Sequence, residues 1–244
     1  MRLTASRVAG RFPFRFSDCP VIPSAVADTL KTVQQLENSI VVRGGKRFVR
    51  WFSTAYHGLK VLTPCPIPAD PRAGGAILVS NHISSVDPVP LQAACPRLIT
   101  WLMAKEYGNL FGLQWFFKAV QPILVERSGR DMAATRAALR ALKDGKVLGI
   151  FPEGRIAPGR ELLDFQVGVA LLALKGGVPI YPAYLDGAQR GKGMVQAVLS
   201  PSPMTLAFGP AINLRSTGDG RDSLEAATAK IRDAVAALAH VKEK

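Results

Sequence analysis

Ala76-Ile77-Leu78-Val79-Ser80-Asn81-His82-Ile83-Ser84-Ser85-Val86-Asp87-Pro88 is the stretch on which the reading of this chain turns. Its opening apolar run has the length of a short buried strand, and a polar cluster then interrupts it. The cluster holds a histidine and, five residues on, an aspartate followed directly by proline. A histidine acting as a general base needs a partner that fixes its tautomer and stabilises the imidazolium it becomes. Five residues of regular helix would turn the two side chains about 140° apart. A strand end, a turn and a helix start are therefore needed to bring them together. Asp87-Pro88 predicts that helix start, with Asp87 as N-cap and proline at the first helical position. Each residue also has a plain structural reading, as a cap for Asp87 and a satisfied loop histidine for His82.

A second stretch, Phe151-Pro152-Glu153-Gly154, follows another apolar strand at 147–150. Asn-His-x4-Asp followed downstream by Phe-Pro-Glu-Gly resembles the glycerolipid acyltransferases typified by 1-acylglycerol-3-phosphate acyltransferases. The resemblance runs from about residue 61 to about residue 210 and includes the later Val178-Pro179-Ile180-Tyr181-Pro182. It implies an acyltransferase that moves a fatty acyl group from acyl-CoA or acyl carrier protein to a hydroxyl of a lysophospholipid, lysophosphatidate or a related lysolipid. By that resemblance His82 takes the proton from the acceptor hydroxyl while Asp87 orients and charge-stabilises it. No cofactor beyond the acyl thioester co-substrate is implied.

The remaining site residues are carried by the same resemblance. Asn81 buttresses the turn beside the substrate. Glu153 holds the acceptor's hydroxyl side and orders the site; its plain reading is a carboxylate bonded to backbone amides at a turn. Gly154 allows a backbone angle or close approach that a side chain would block. Arg127, at the end of a strand, matches the family's phosphate-contacting arginine, and a guanidinium suits phosphate through bidentate, charge-assisted bonds. The chain departs from many members in reading Phe-Pro-Glu-Gly-Arg155-Ile156, where they have Thr-Arg after the glycine. That shift puts the phosphate role of Arg155 in doubt and leaves Arg160 as a substitute. Gln166 follows Phe165 where relatives often carry lysine. Both changes bear on acceptor identity more than on reaction type.

Composition sets the partners. The 244 residues are 48% apolar, enough for the core of one large α/β domain or of a domain with a small appendage. Lys and Arg number 31 against 18 Asp and Glu, a formal charge of +13. Such a balance favours an anionic partner: nucleic acid, an anionic membrane surface or a phosphorylated substrate. No nucleic-acid reader motif accompanies the charge, and no Gly-x-Ser-x-Gly elbow of a hydrolase occurs. The 3 Cys have no metal-ligand spacing, so neither a zinc site nor a disulfide frame is expected. No apolar run reaches the roughly 18 residues that span a bilayer. The reading is a cytoplasmic protein, peripheral on the inner face of the membrane.

Along the chain, 1–23 reads as an extended arm in which Phe12, Phe14 and Phe16 interleave with Arg11 and Arg15. Residues 24–42 read as a helix stopped by Gly44-Gly45, and 46–62 as a second, amphipathic and basic helix, suited to a core or to anionic lipid. After Pro88 a short helix reaches about 95, and 98–104 reads as a strand. Residues 105–119 form an aromatic-rich helical stretch. Strands at 122–126 and 147–151 flank a helix at 131–143 that Gly145 stops. A buried helix at 162–175 ends at Gly176-Gly177. Strands are expected at 178–184, 195–199 and 205–208, and a closing helix at 222–241.

This alternation predicts a single layered α/β domain over 61–244, a mostly parallel or mixed central sheet flanked by helices, similar to glycerol-3-phosphate acyltransferases. An N-terminal arm and helices occupy 1–60. The rival function classes are a catalytically silent lipid-surface binding protein and an acyltransferase for a non-phosphoglyceride acceptor such as a lyso-aminolipid.

Overall fold

The computed structural model describes residues 40–107, 121–126, 131–159, 161–191, 193–214 and 221–241. Seven strands form one mixed sheet: β1 Lys60–Val61, β2 Ala76–Ser80, β3 Ile99–Ala104, β4 Ile123–Val125, β5 Val147–Ile150, β6 Ile180–Asp186 and β7 Thr205–Phe208. Their order across the sheet is β1-β7-β6-β2-β5-β3-β4. From β6 to β4 every pairing is parallel, while β7 runs antiparallel to β6 and parallel to β1.

The opening motif's strand, β2, lies between β5 and β6, and all five of its residues are buried. A parallel strand covered on both faces needs apolar side chains on both, which is why Ala-Ile-Leu-Val reads as a continuous run. On one face Ile77, Val79, Leu148 and Ile180 pack under three helices: α3 Met132–Lys143, α4 Gly168–Gly176 and α6 Arg221–Ala237. On the other, Leu78, Ile99 and Leu206 pack with Leu91 of α2 Pro88–Ala94 and Ile67 of the connector. The parallel strands β2 and β5 pair Val79 with Ile150, so their C-terminal ends stop side by side. Open α/β sheets place ligands in the crevice outside such strand ends.

Four expectations are corrected. The helix α1 Ile40–Trp51 runs straight through Gly44-Gly45, which do not stop it. Both glycines are exposed with nothing within 4 Å of an added Cβ, so they cost helix propensity without breaking the hydrogen-bond ladder. Second, the helix foreseen to residue 62 widens into a π turn at Phe52–Tyr56 and ends at Gly58, whose φ of 62° is left-handed, before β1. Third, residues 162–167 are not helical: Leu163 and Gln166 give their amides to Glu153 and to the Pro152 carbonyl, and the helix starts only at Gly168. Fourth, the apolar run expected as a strand at 195–199 is the helix α5 Met194–Leu199. Apolar runs this short carry too little periodicity to separate helix from strand. The arm at 1–23, most of the 24–42 helix and most of the 105–119 stretch lie outside the described residues.

The continuous α1 has a measurable consequence. Gly44→Ala or Gly45→Ala each raises stability by about 0.5–1 kcal/mol, seen as a higher urea midpoint at unchanged m-value. Destabilisation by either substitution would restore these glycines as a left-handed helix stop.

Candidate active site

The site begins where β2 ends. Asn81 is buried, its Oδ1 accepts from the Leu185 amide at 2.8 Å and its Nδ2 donates to the Leu185 carbonyl at 2.8 Å. Its amide thus extends the β2–β6 pairing by one side-chain rung. That fixes where the next residue, His82, leaves the sheet, and it gives Asn81 the buttress geometry.

Residues 83–86 then turn the chain back on itself. The Asp87 Oδ2 accepts from His82 Nδ1 at 2.9 Å, from the Ile83 amide at 2.6 Å and from the Ser84 amide at 2.8 Å. His82 and Asp87 therefore meet as the motif requires, and Asp87 stands at the N-cap position with Pro88 opening the helix, but its side chain does not act as the cap. Its backbone is already helical (φ −52°, ψ −35°), and its side chain makes no bond to the helix amides. The carboxyl points back into the turn, where the His82 ring and two amides without other partners take it up.

Asp87 is 0% exposed, and its Oδ1 has no hydrogen-bond partner among the described residues. Burial raises its carboxyl above the usual range, while the His82 bond and the two amides pull the other way. The His82 side chain is 20% exposed. With Nδ1 bound to Asp87, the second ring nitrogen is the one left for a ligand.

The β5 end supplies the rest. Glu153 Oε1 accepts from the His82 amide at 2.9 Å, and its Oε2 accepts from the Leu163 amide at 3.3 Å. The His82 carbonyl accepts from the Ala157 amide at 2.7 Å. Glu153 is buried, burial raises its carboxyl, and both amide bonds oppose that shift. Its observed partners are those of a carboxylate bonded to backbone, which was one of its two readings. Gly154 follows in a left-handed conformation, φ 70°, and a Cβ there would stand 2.2 Å from Gln166 Nε2. The left-handed turn calls for glycine, whereas the Gln166 side-chain end can swing aside.

Two residues missed in the sequence complete the site. The Phe151 ring stacks on His82 with centroids 4.2 Å apart and planes 13° apart, and Trp101 stacks on Phe151 at 5.0 Å and 7°. A glycine inside the apolar strand Val147–Ile150 was the available signal, since glycine there marks a close approach by a neighbour. Arg155 is exposed on the loop after Gly154, while Arg127 and Arg160 lie outside the described residues. Among the described residues no group of three or more His, Cys, Asp and Glu stands together to hold a metal. His57, away from both motifs in sequence, is buried against the rings of Phe52 and Tyr56.

The family model described as Acyltransferase matches residues 55–186, which include both motifs. A 1-acyl-sn-glycerol-3-phosphate acyltransferase of Bacillus subtilis (strain 168) is 29% identical over 139 residues, 55% of this chain and 66% of that protein. One of Helicobacter pylori (strain J99) is 30% identical over 115 residues, 46% of this chain and 48% of that protein. The alignments thus span between about half and two thirds of these relatives' length. In fold, the chain is similar to the 1-acyl-sn-glycerophosphate (LPA) acyltransferase PlsC of Thermotoga maritima. The TM-score is 0.63 at 16% identity, covering 91% of this chain and 98% of that one.

The Glu153 geometry predicts the effect of Glu153→Gln. A carboxylate accepts from both amides, whereas an amide side chain accepts one and turns a donor on the other. The cost is about 1–3 kcal/mol for one unsatisfied buried N–H, read by urea unfolding. A carboxyl raised on folding contributes stability that is full below its ordinary value of 4.5 and lost as pH rises through the folded value. Wild-type stability therefore falls more steeply above pH 4.5 than that of Glu153→Gln. Parallel profiles would remove Glu153 as the source of that slope.

Proposed function

The chain belongs to the Acyltransferase family, and we propose that it moves a fatty acyl group from acyl-CoA or acyl carrier protein to the free hydroxyl of a lysophospholipid, lysophosphatidate foremost. The observation that carries this reading is the His82–Asp87 pair at the C-terminal end of the central strand, 2.9 Å apart. The names of the curated relatives support the choice of acceptor.

The chemistry follows from the geometry. Asp87 accepts the Nδ1 proton and so fixes the tautomer in which Nε2 is the base. Nε2 takes the acceptor hydroxyl's proton as that oxygen attacks the thioester carbonyl. The tetrahedral intermediate collapses, the C–S bond breaks, and the imidazolium returns its proton to the departing thiolate. Asp87 stabilises the imidazolium meanwhile. The thioester is already activated, so no side chain has to be acylated. Arg127, with Arg155 and Arg160 as alternatives, binds the acceptor phosphate.

The same reading places the protein on an anionic membrane surface, at its cytoplasmic face. The α1 helix turns Phe48 and Trp51 outward, 61% and 58% exposed, while Val42 and Val49 are partly buried. Arg43, Arg47 and Arg50 are exposed alongside. The Tyr56 hydroxyl donates to the Leu199 carbonyl at 2.7 Å, which ties the end of this helix to α5, where Val195 and Leu199 are 72% and 67% exposed. Aromatic and aliphatic side chains for the headgroup boundary, with guanidinium groups for phosphates, make an interfacial face. Among the described residues no helix is long and apolar enough to cross a membrane.

Release of free CoA only when acyl-CoA and a lysophospholipid are both present is the direct test, run over a panel of acceptors. His82→Ala lowers turnover by about 10²–10⁴-fold with an unchanged circular dichroism spectrum. Near-wild-type turnover in that variant would sink the base assignment. Arg127→Ala raises the acceptor KM and leaves kcat comparatively intact, and a defect confined to the acyl donor would move it to the donor side. Vesicle pelleting should need anionic lipid, weaken with salt, and fall in Phe48→Ser/Trp51→Ser. Equal binding to neutral vesicles at low and high salt would contradict the electrostatic part.

A further inference from the structure

We propose that Phe151 and Trp101 are positioning residues for His82, a stacked column that fixes the imidazole plane and stabilises its charged form during proton transfer. The proposal rests on His82 being the base. A single bond from Nδ1 to Asp87 anchors one corner of the ring, and a ring held at one corner still tilts about it. A second contact over the face removes that freedom. Phe151 supplies it at a centroid separation of 4.2 Å and a 13° interplanar angle, a close and nearly parallel stack. Nε2 is then aimed by two independent contacts, one at the edge of the ring and one across its face.

The column is braced from behind. Trp101 covers Phe151 at 5.0 Å with planes 7° apart, so Phe151 cannot swing away from His82 without displacing an indole. Trp101 is buried, and it is the register partner of Gly149 on the neighbouring strand. A Cβ on Gly149 would stand 2.4 Å from Trp101 Cε3 and 2.5 Å from Cζ3. The indole lies where it does because β5 has no side chain at that position. Phe151, two residues on, shares the Gly149 side of the strand by the period-2 alternation. The β3–β5 pairing sets Trp101 opposite Gly149, and Phe151 two residues further on completes a wall for the base.

The electrostatics run the same way. The face of a phenyl ring carries the negative part of its quadrupole. While His82 is neutral, the stack is an ordinary aromatic contact. Once the acceptor's proton is on Nε2, a delocalised cation sits over that face, well inside the ~6 Å reach of cation–π attraction. The interaction strengthens only as charge develops, which is the kind that lowers a barrier without tightening substrate binding. Asp87 meets the imidazolium at its edge and Phe151 meets it on its face.

Progressive fluorination of Phe151 in the full chain is the experiment, because it drains the ring's negative face at nearly constant size and apolarity. The expected result is a stepwise fall in kcat, about 5- to 30-fold from phenylalanine to its pentafluoro form, with KM for acyl-CoA and for the lysophospholipid within twofold. Phe151→Tyr, which keeps the π face, retains kcat, whereas Phe151→Leu, which keeps apolar bulk, does not. A flat fluorination series, or Phe151→Leu at wild-type kcat, overturns the proposal and makes Phe151 simple packing. The same series in a His82→Ala background separates the two readings. If His82→Ala is itself fully active, the base assignment has failed. If His82→Ala is dead and the series in the intact enzyme is flat, only the column has failed. A fluorination effect that persists unchanged in residual His82→Ala activity also overturns the column, because it then acts on something other than His82.

Discussion

One carboxylate oxygen organises this site. The Asp87 Oδ2 takes three N–H groups at once, from His82, Ile83 and Ser84, while it is buried completely. An ionised carboxylate in such a place is unfavourable unless hydrogen bonds replace the lost water. Each charge-assisted bond is roughly twice as strong as a neutral one, and here two of the three come from backbone that is fixed by the turn itself. The turn and the charge need each other. Without the carboxylate the amides of residues 83 and 84 would be buried orphans, and without the turn the carboxylate would have no solvation. The His82–Asp87 pair is therefore also the local folding unit, and its geometry is held by the same bonds that make the turn stable.

Glu153 repeats this solution from the next strand. It accepts from the amides of His82 and Leu163, so the exit of β2, the exit of β5 and the start of the 162–167 segment are pinned by one side chain. Asn81 does the same toward β6 through both of its amide atoms. His82 is consequently fixed through its backbone on two sides and through its ring by Asp87. Parallel strand ends place these loops together, and three short polar side chains turn proximity into a defined geometry.

Much of this was legible in the sequence. The strands of the central sheet stood out because both faces are covered, and both motifs were visible at strand ends. What escaped was decided by tertiary contacts. Residues 162–167 are apolar enough for helix, yet their amides are drawn to Glu153 and Pro152, partners that no local rule weighs. Asp87-Pro88 has the signature of a cap, but the pull of His82 and two amides outcompetes the helix terminus. Gly44-Gly45 looks like punctuation, and intrinsic propensity alone cannot say whether a glycine pair ends a helix or merely weakens it. The stack of Trp101 and Phe151 on His82 joins the ends of β2 and β5 to the middle of β3, an adjacency set by sheet order and not by sequence distance. For the arginines 127 and 160 the sequence reading stands alone.

The choice of amides over cations to satisfy the buried carboxyls has a consequence for the whole charge balance. Among the described residues neither Asp87 nor Glu153 forms an ion pair with lysine or arginine; the side chain that Asp87 does meet is His82. A guanidinium beside Asp87 would compete with the His82 ring for the carboxylate, and its own charge would be neutralised there. Backbone dipoles carry no net charge and cannot be titrated, so they solvate the carboxyls without drawing a lysine or arginine into the turn. Among the described residues Arg43, Arg47, Arg50 and Arg155 stand exposed, and none of them pairs with either carboxyl. Burying the two acids on amides while these guanidinium groups face solvent keeps the two sets of charge from cancelling.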